Sequence, residues 1–240
     1  MKKRFLACWQ VMALYWDKVL LAYWYGTWSA GLCRWRMFAK SAPNKITWAL
    51  LPFILVSCTS VPPKQLDNIC HIFDEKDNWY DDAKKASKRW NSPIAVNMAF
   101  MYQESRFVAK AKPPRTKILW IFPGPRKSDA YGYAQVKDDT WDWYKRASGH
   151  RFADRDDFDD AIDFIAWYNR QSQEKNRIAS TDAYRLYLAY HEGHGGYSRK
   201  SYAKKQWLQS VARKVADRAA RYQTQLQGCE KRLNSGWWFF

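Results

Sequence analysis

The chain has 240 residues, 47% hydrophobic and 18% aromatic, and carries a formal net charge of +17 at pH 7. That length is enough for one domain of ordinary size plus extensions. Of the charge, +7 falls on residues 1–57 and +10 on the remainder, so the domain itself predicts an anionic partner. Nucleic acid is the default partner of a chain this basic. The leader described next excludes it, because an exported protein meets little of it.

Residues 1–36 carry five tryptophans and six Lys/Arg. Asp17, Lys18 and Gly26 interrupt their apolar character, so Leu6 to Tyr25 is a poor spanning helix. Met37 to Ser57 is different. Lys40 and Lys45 precede an apolar run from Trp48 to Val56, and Leu55-Val56-Ser57-Cys58 closes it. A charged start, an apolar stretch, a small residue and a cysteine are the layout of a bacterial lipoprotein signal. Cys58 is then the lipidated residue, which tethers the chain to a membrane outside the cytoplasm. Residues 1–36 are read as a mis-called gene start, with a real N-terminal extension as the alternative. Residues 58–64, with Pro62-Pro63, form a short extended tether. By analogy with enterobacterial sorting, Thr59 and Ser60 after the cysteine favour the outer over the inner membrane, on the periplasmic side.

The globular part runs from 65 to 240. Beyond the leader and Cys58 it keeps Cys70 and Cys229. In an exported protein two leftover cysteines read as one disulfide, with two free buried thiols as the alternative. Asn91-Ser92-Pro93 reads as a helix start, with Ser92 as cap and Pro93 at the first position. Ile94, Met98, Met101 and Tyr102 follow at helical spacing as a buried stripe, ending near Glu104. Lys110 to Lys127 holds four prolines around Ile118-Leu119-Trp120-Ile121-Phe122 and reads as a loop or hairpin. Helices are expected over Asp156–Ser172, with acids in the first turns, over Thr181–Glu192, and over Ser201–Gln227. The last of these places Trp207, Val211, Val215, Tyr222 and Leu226 on one side. The fold expected is mostly α, with a small β piece around 115–136. Trp237-Trp238-Phe239-Phe240 is expected to fold back on the domain near the two cysteines, since four exposed aromatics are an aggregation hazard.

Glu104 is the residue placed for chemistry. A carboxyl at the end of an apolar helix, beside aromatic residues, sits in a low dielectric that raises its pKa and keeps it protonated. Glycosidic bond cleavage needs such an acid on the leaving oxygen. Taken alone, a helix-end glutamate is more ordinarily a solvated one. Two further motifs change that balance: Gly132-Tyr133-Ala134-Gln135, and Ala189-Tyr190-His191-Glu192-Gly193.

With Glu104-Ser105, these motifs resemble, in order and spacing, the soluble lytic transglycosylase catalytic domain (family 1). That family has Glu-Ser at a helix end, then Gly-x-x-Gln, then Ala-Tyr-Asn-x-Gly. Asp163 to Tyr168 also resembles its intervening helix, and the likeness covers residues 90–200. The resemblance implies a lysozyme-like α domain, related to goose-type lysozymes, that cuts the MurNAc–GlcNAc bond of peptidoglycan without water. It implies Glu104 as acid and base, and Ser105, Tyr133, Gln135 and Tyr190 as substrate-binding, with Ser105 supporting the glutamate and Tyr190 leaning on it or on substrate. No cofactor or metal is implied, and a monomer is expected. Two departures stand out: His191 replaces an asparagine, and Lys110 to Pro125 is inserted, read here as a flap near the cleft or a plain surface loop. A hydrolytic muramidase and a non-catalytic wall-binding lipoprotein are the competing readings.

Other constellations point less far. His191 and His194 are three residues apart, whereas a zincin pair is spaced by four around a glutamate. The run Asp154, Asp156, Asp157, Asp159, Asp160 lacks the glycine and final glutamate of a calcium loop and reads as a helix N-terminus.

Overall fold

The computed structural model describes residues 61–118 and 122–235. The signal and Cys58, the middle of the 110–127 insert and the terminal Trp237–Phe240 lie outside the described residues. Within them are seven helices and one two-stranded sheet, the mostly α architecture that the periodicities predict.

Three helices come first: α1 (Ile69–Glu75), α2 (Trp79–Trp90) and α3 (Ile94–Ser105). Asn68 caps α1 by accepting from the Cys70 and His71 amides. α3 is the centre of the molecule. Ile94 through Met101 are all buried, as is Ser105, so this helix has no polar face to give to water until its last turn. The expected N-cap is different in detail. Pro93 occupies the cap position with no side-chain cap bond. Ser92 is turned inward, where its hydroxyl donates to Asn97 Oδ1 at 2.6 Å and the Asn97 amide returns a bond to the Ser92 carbonyl. Asn169 Nδ2 donates to the same Asn97 oxygen at 3.1 Å. A buried asparagine must be hydrogen-bonded, and that requirement outweighs capping.

The insert forms a hairpin of β1 (Arg115–Ile118) and β2 (Phe122–Arg126), antiparallel, with Arg115 opposite Arg126. An isolated bridge between Tyr131 and Val136 closes the loop that follows. The remaining helices are α4 (Asp138–Ser148), α5 (Phe158–Asn176), α6 (Ala183–Ser198) and α7 (Gln206–Asn234). Helix α5 starts within the acidic run, with Asp157 at the cap position and Asp159 and Asp160 in its first turn, as negative charge at a helix N-terminus favours. It packs against α2, α3 and α6, and α7 packs against α3, α6 and α1. Buried Asp163 ties α2 and α4 to α5 by accepting from Trp90 Nε1 at 2.9 Å and the Tyr144 hydroxyl at 2.8 Å.

The last helix buries Leu208, Ala212, Val215, Ala219, Tyr222, Leu226 and Cys229. Of the side expected, Val215, Tyr222 and Leu226 are buried and Val211 is half-buried, while Trp207 is 57% exposed. Leu208 takes the inward place beside it.

Cys70 and Cys229 form a disulfide that joins α1 to α7 across 159 residues of chain. Arg232 with Asp74 ties the same two elements at the surface, and Arg218 with Asp67 ties α7 to the segment just before α1. A covalent loop this long removes much freedom from the unfolded chain. Replacing both cysteines by serine should cost about 2–5 kcal/mol and lower the melting temperature by about 5–15 °C. An unchanged transition in differential scanning calorimetry would contradict that role.

Candidate active site

The chain turns back sharply after α3. Arg106 and Phe107 both adopt left-handed backbone, with φ of 51° and 61°, a conformation that costs a non-glycine residue energy. Phe107 offsets it by complete burial against Trp79 and Tyr102. This corner fixes Glu104 in the last turn of α3, where a cleft of about 590 Å³ opens. Phe164, Tyr168 and Tyr190 give the cleft an aromatic wall, and Gln135, His191 and Glu192 supply polar groups.

The Glu104 carboxylate accepts from the Tyr187 hydroxyl at 3.0 Å. Burial pushes its pKa up from 4.5 to about 7, against the pull of that hydrogen bond. The group is therefore part protonated at neutral pH, as an acid that must also take a proton back requires. Tyr187 was not singled out from the sequence. It lies three residues before Tyr190, so both rings fall on one face of α6, and both meet Phe100 edge-on at 5.2 and 5.5 Å. That spacing was the available signal.

Tyr190 itself lines the cleft, but its hydroxyl donates to the Ala134 carbonyl at 2.8 Å rather than to Glu104. It thereby fastens α6 to the loop of Gly132–Gln135. In that loop Gly132 has φ of 82°, and a Cβ there would meet the Arg155 carbonyl oxygen at 2.1 Å, so no other residue fits. Gln135, also left-handed, spends both hydrogens of its Nε2 on the carbonyls of Ala111 and Gly132, each at 2.9 Å. Its Oε1 is left to accept from a ligand.

Two residues that the resemblance places at substrate are turned away. Tyr133 is buried, its ring edge-on to Trp79 and Phe158. The close approach of Gly132 to Arg155 drives the next side chain into the core. The Ser105 hydroxyl donates to the Met101 carbonyl at 3.2 Å within its own helix, so it satisfies a buried backbone group rather than the glutamate.

Gly193, with φ of 73° and ψ of 160°, breaks α6 and sends the two nearby histidines to different neighbours. His191 lines the cleft, with its ring 5.2 Å from Trp207. His194 stacks on Tyr168 at 4.4 Å and sits 3.1 Å from the Ser172 hydroxyl. Burial, helped by Lys175, lowers its pKa to about 4. Among the described residues no three His, Cys, Asp or Glu converge as a metal-binding group. Glu192 brings a second carboxylate to the cleft wall, its side chain only 4% exposed. Burial acts to raise its pKa, but Lys205, at 2.8 and 2.9 Å, with Ser201 and His191, holds it down at about 2. The two carboxyls thus differ sharply in proton affinity, as their surroundings dictate.

The raised pKa of Glu104 has a thermodynamic consequence. Folded, the group holds its proton up to about pH 7; unfolded, it releases it near 4.5. Stability therefore falls as pH rises through that window. Glu104→Gln should melt a few degrees higher than the parent at pH 8, with the gap closing below about pH 4.5. Equal gaps at both ends of a pH-resolved thermal scan would contradict the burial of this carboxyl.

The family model for the transglycosylase SLT domain matches residues 46–229, which takes in the whole cleft and every motif from Glu104 to Gly193. No curated relative matches the chain. The chain belongs to the transglycosylase SLT domain family, a lysozyme-like group that acts on peptidoglycan.

Proposed function

We propose that the protein is a lytic transglycosylase, cleaving the MurNAc–GlcNAc β-1,4 bond non-hydrolytically with Glu104 as both acid and base. The observation that carries this reading is the Glu104 carboxyl, raised to about pH 7 and held by Tyr187 at the mouth of an aromatic cleft. Protonated Glu104 gives its proton to the glycosidic oxygen as the bond from C1 breaks, releasing GlcNAc. The 6-hydroxyl of MurNAc then attacks C1 and loses its proton to the Glu104 carboxylate. A 1,6-anhydro ring forms and the acid is regenerated, so the cycle consumes neither water nor a net proton. Gln135 accepts from a sugar hydroxyl, and Tyr190 presents its ring to the glycan. A hydrolytic muramidase would activate water at the same Glu104 carboxylate, since Glu192 is tied to Lys205, so the chemistry of the product ends distinguishes the two readings.

The same reading places the domain in the periplasm, held by a lipid on Cys58 to the outer membrane. It acts there as a monomer on peptidoglycan strands. The carriers of this part are the Leu55–Cys58 motif and the Pro62-Pro63 tether.

Mass spectrometry of fragments from purified peptidoglycan treated with residues 59–240 tests the chemistry. Anhydro-MurNAc ends are expected, with Glu104→Gln slower by about 10²–10⁴; reducing ends would make the enzyme a hydrolase. Because the acid must start protonated, kcat/KM should fall as pH rises past about 7. Tyr187→Phe removes the bond that favours the carboxylate, so this alkaline limb should move to higher pH. A limb that stays in place would show that Tyr187 does not set the acidity of Glu104.

A further inference from the structure

Helix α3 borders a second concavity that shares no lining residue with the cleft. It has a volume of about 400 Å³ and lies between the last turns of α3 and the middle of α7. Four cations line it, Arg106, Lys214, Arg218 and Arg221, against one acid, Asp217. Arg218 is already committed: it pairs with Asp67 at 2.8 Å and lies 3.4 Å over the Tyr102 ring, forming part of the groove wall. Arg106, Lys214 and Arg221 are exposed and form no ion pair among the described residues. Asp217 stands three residues after Lys214 and four before Arg221 on the same helix, so it offsets one of them at most. Clustered like charges cost energy that an anionic ligand would recover.

The groove lies next to the cleft along α3. Gln103 and Arg106, which help line it, flank the Glu104-Ser105 pair. A helix rises about 1.5 Å per residue, so groove and cleft meet at the end of one helix. We propose that this groove binds the acidic peptide stem of the muramic acid whose glycosidic bond lies at Glu104. This rests on the peptidoglycan reading above. A stem of four or five residues spans roughly 13–18 Å when extended, enough to pass from one side of α3 to the other. Its carboxylates meet Lys214 and Arg221, and a concave, ring-walled site suits a narrow peptide better than a flat lipid surface.

The test is the double variant Lys214→Glu/Arg221→Glu, with Lys214→Gln/Arg221→Gln as the milder pair in case reversal disturbs folding. Both are compared with the parent on glycan strands bearing stems and on the same strands stripped by an amidase. A free stem tetrapeptide is titrated by calorimetry, and vesicles containing phosphatidylglycerol are co-sedimented. The parent should bind the tetrapeptide and the reversed variant should bind it about tenfold more weakly. The ratio of turnover on stem-bearing to stripped strands should fall by a similar factor. Equal tetrapeptide affinity in parent and variant, equal loss on both strands, or loss of vesicle binding alone would each overturn the proposal, the last in favour of a membrane-facing surface. If the parent cleaves neither strand, the transglycosylase reading fails, and the titration still decides the groove.

Discussion

The burial of α3 on every side is the constraint on which the rest of the molecule depends. Met98, Phe100 and Met101 have no exposure at all, and each such side chain contributes about 1.5–3 kcal/mol when removed from water. A helix of this kind is stable only inside a shell, and α5 and α7, with the tyrosines of α6, provide it. The one part of α3 that meets a cleft is its last turn, and Glu104 sits there. The low dielectric that raises its pKa is thus a by-product of packing the helix, with no separate device needed to create it.

The cleft is assembled from elements that are far apart in the chain, and a few directed bonds set their mutual positions. Tyr187 fixes the carboxyl, and Tyr190 fixes the Gly132–Gln135 loop through the Ala134 carbonyl. The loop is closed in turn by Gly132 against Arg155 and by Gln135 on Ala111. Ala111 belongs to the root of the inserted hairpin, so the insertion is coupled at its base to the cleft-lining Gln135. On the opposite wall, Lys205 and Ser201 hold Glu192 ionised beside the Gly193 break. Each polar group near Glu104 is thereby given one role: Tyr187 donates, Gln135 has only its oxygen free, and Glu192 carries a fixed charge.

Much of this was legible in the chain because it depends on local pattern. The spacing of Ile94, Met98 and Met101 gave α3, and the acids before Phe158 gave the start of α5. The motifs at Glu104, Gly132 and Ala189 gave the order of the site along the sequence. What was not legible depends on contacts between elements. Tyr133 and Ser105 lie inside motifs yet face the core, since a motif records which residues recur and not which way each one turns. Ser92 looked like a helix cap and instead satisfies Asn97, a demand that exists only once Asn97 and Asn169 are buried together. Trp207 looked like part of the apolar face of α7, but the inward place beside it goes to Leu208.

The sequence by itself determined the helical class and the place of Glu104 at a helix end, because apolar periodicity and chain-local motifs encode them directly. It also supplied the two cysteines at the ends of the domain. Only the tertiary structure decided which tyrosine holds Glu104, that Glu192 joins the cleft as a fixed anion, and that Arg106 shares a groove with Lys214 and Arg221. Those facts concern groups separated by tens of residues or more. Hydrogen bonds and desolvation act over a few ångströms of space, and only the packed fold brings those groups that close.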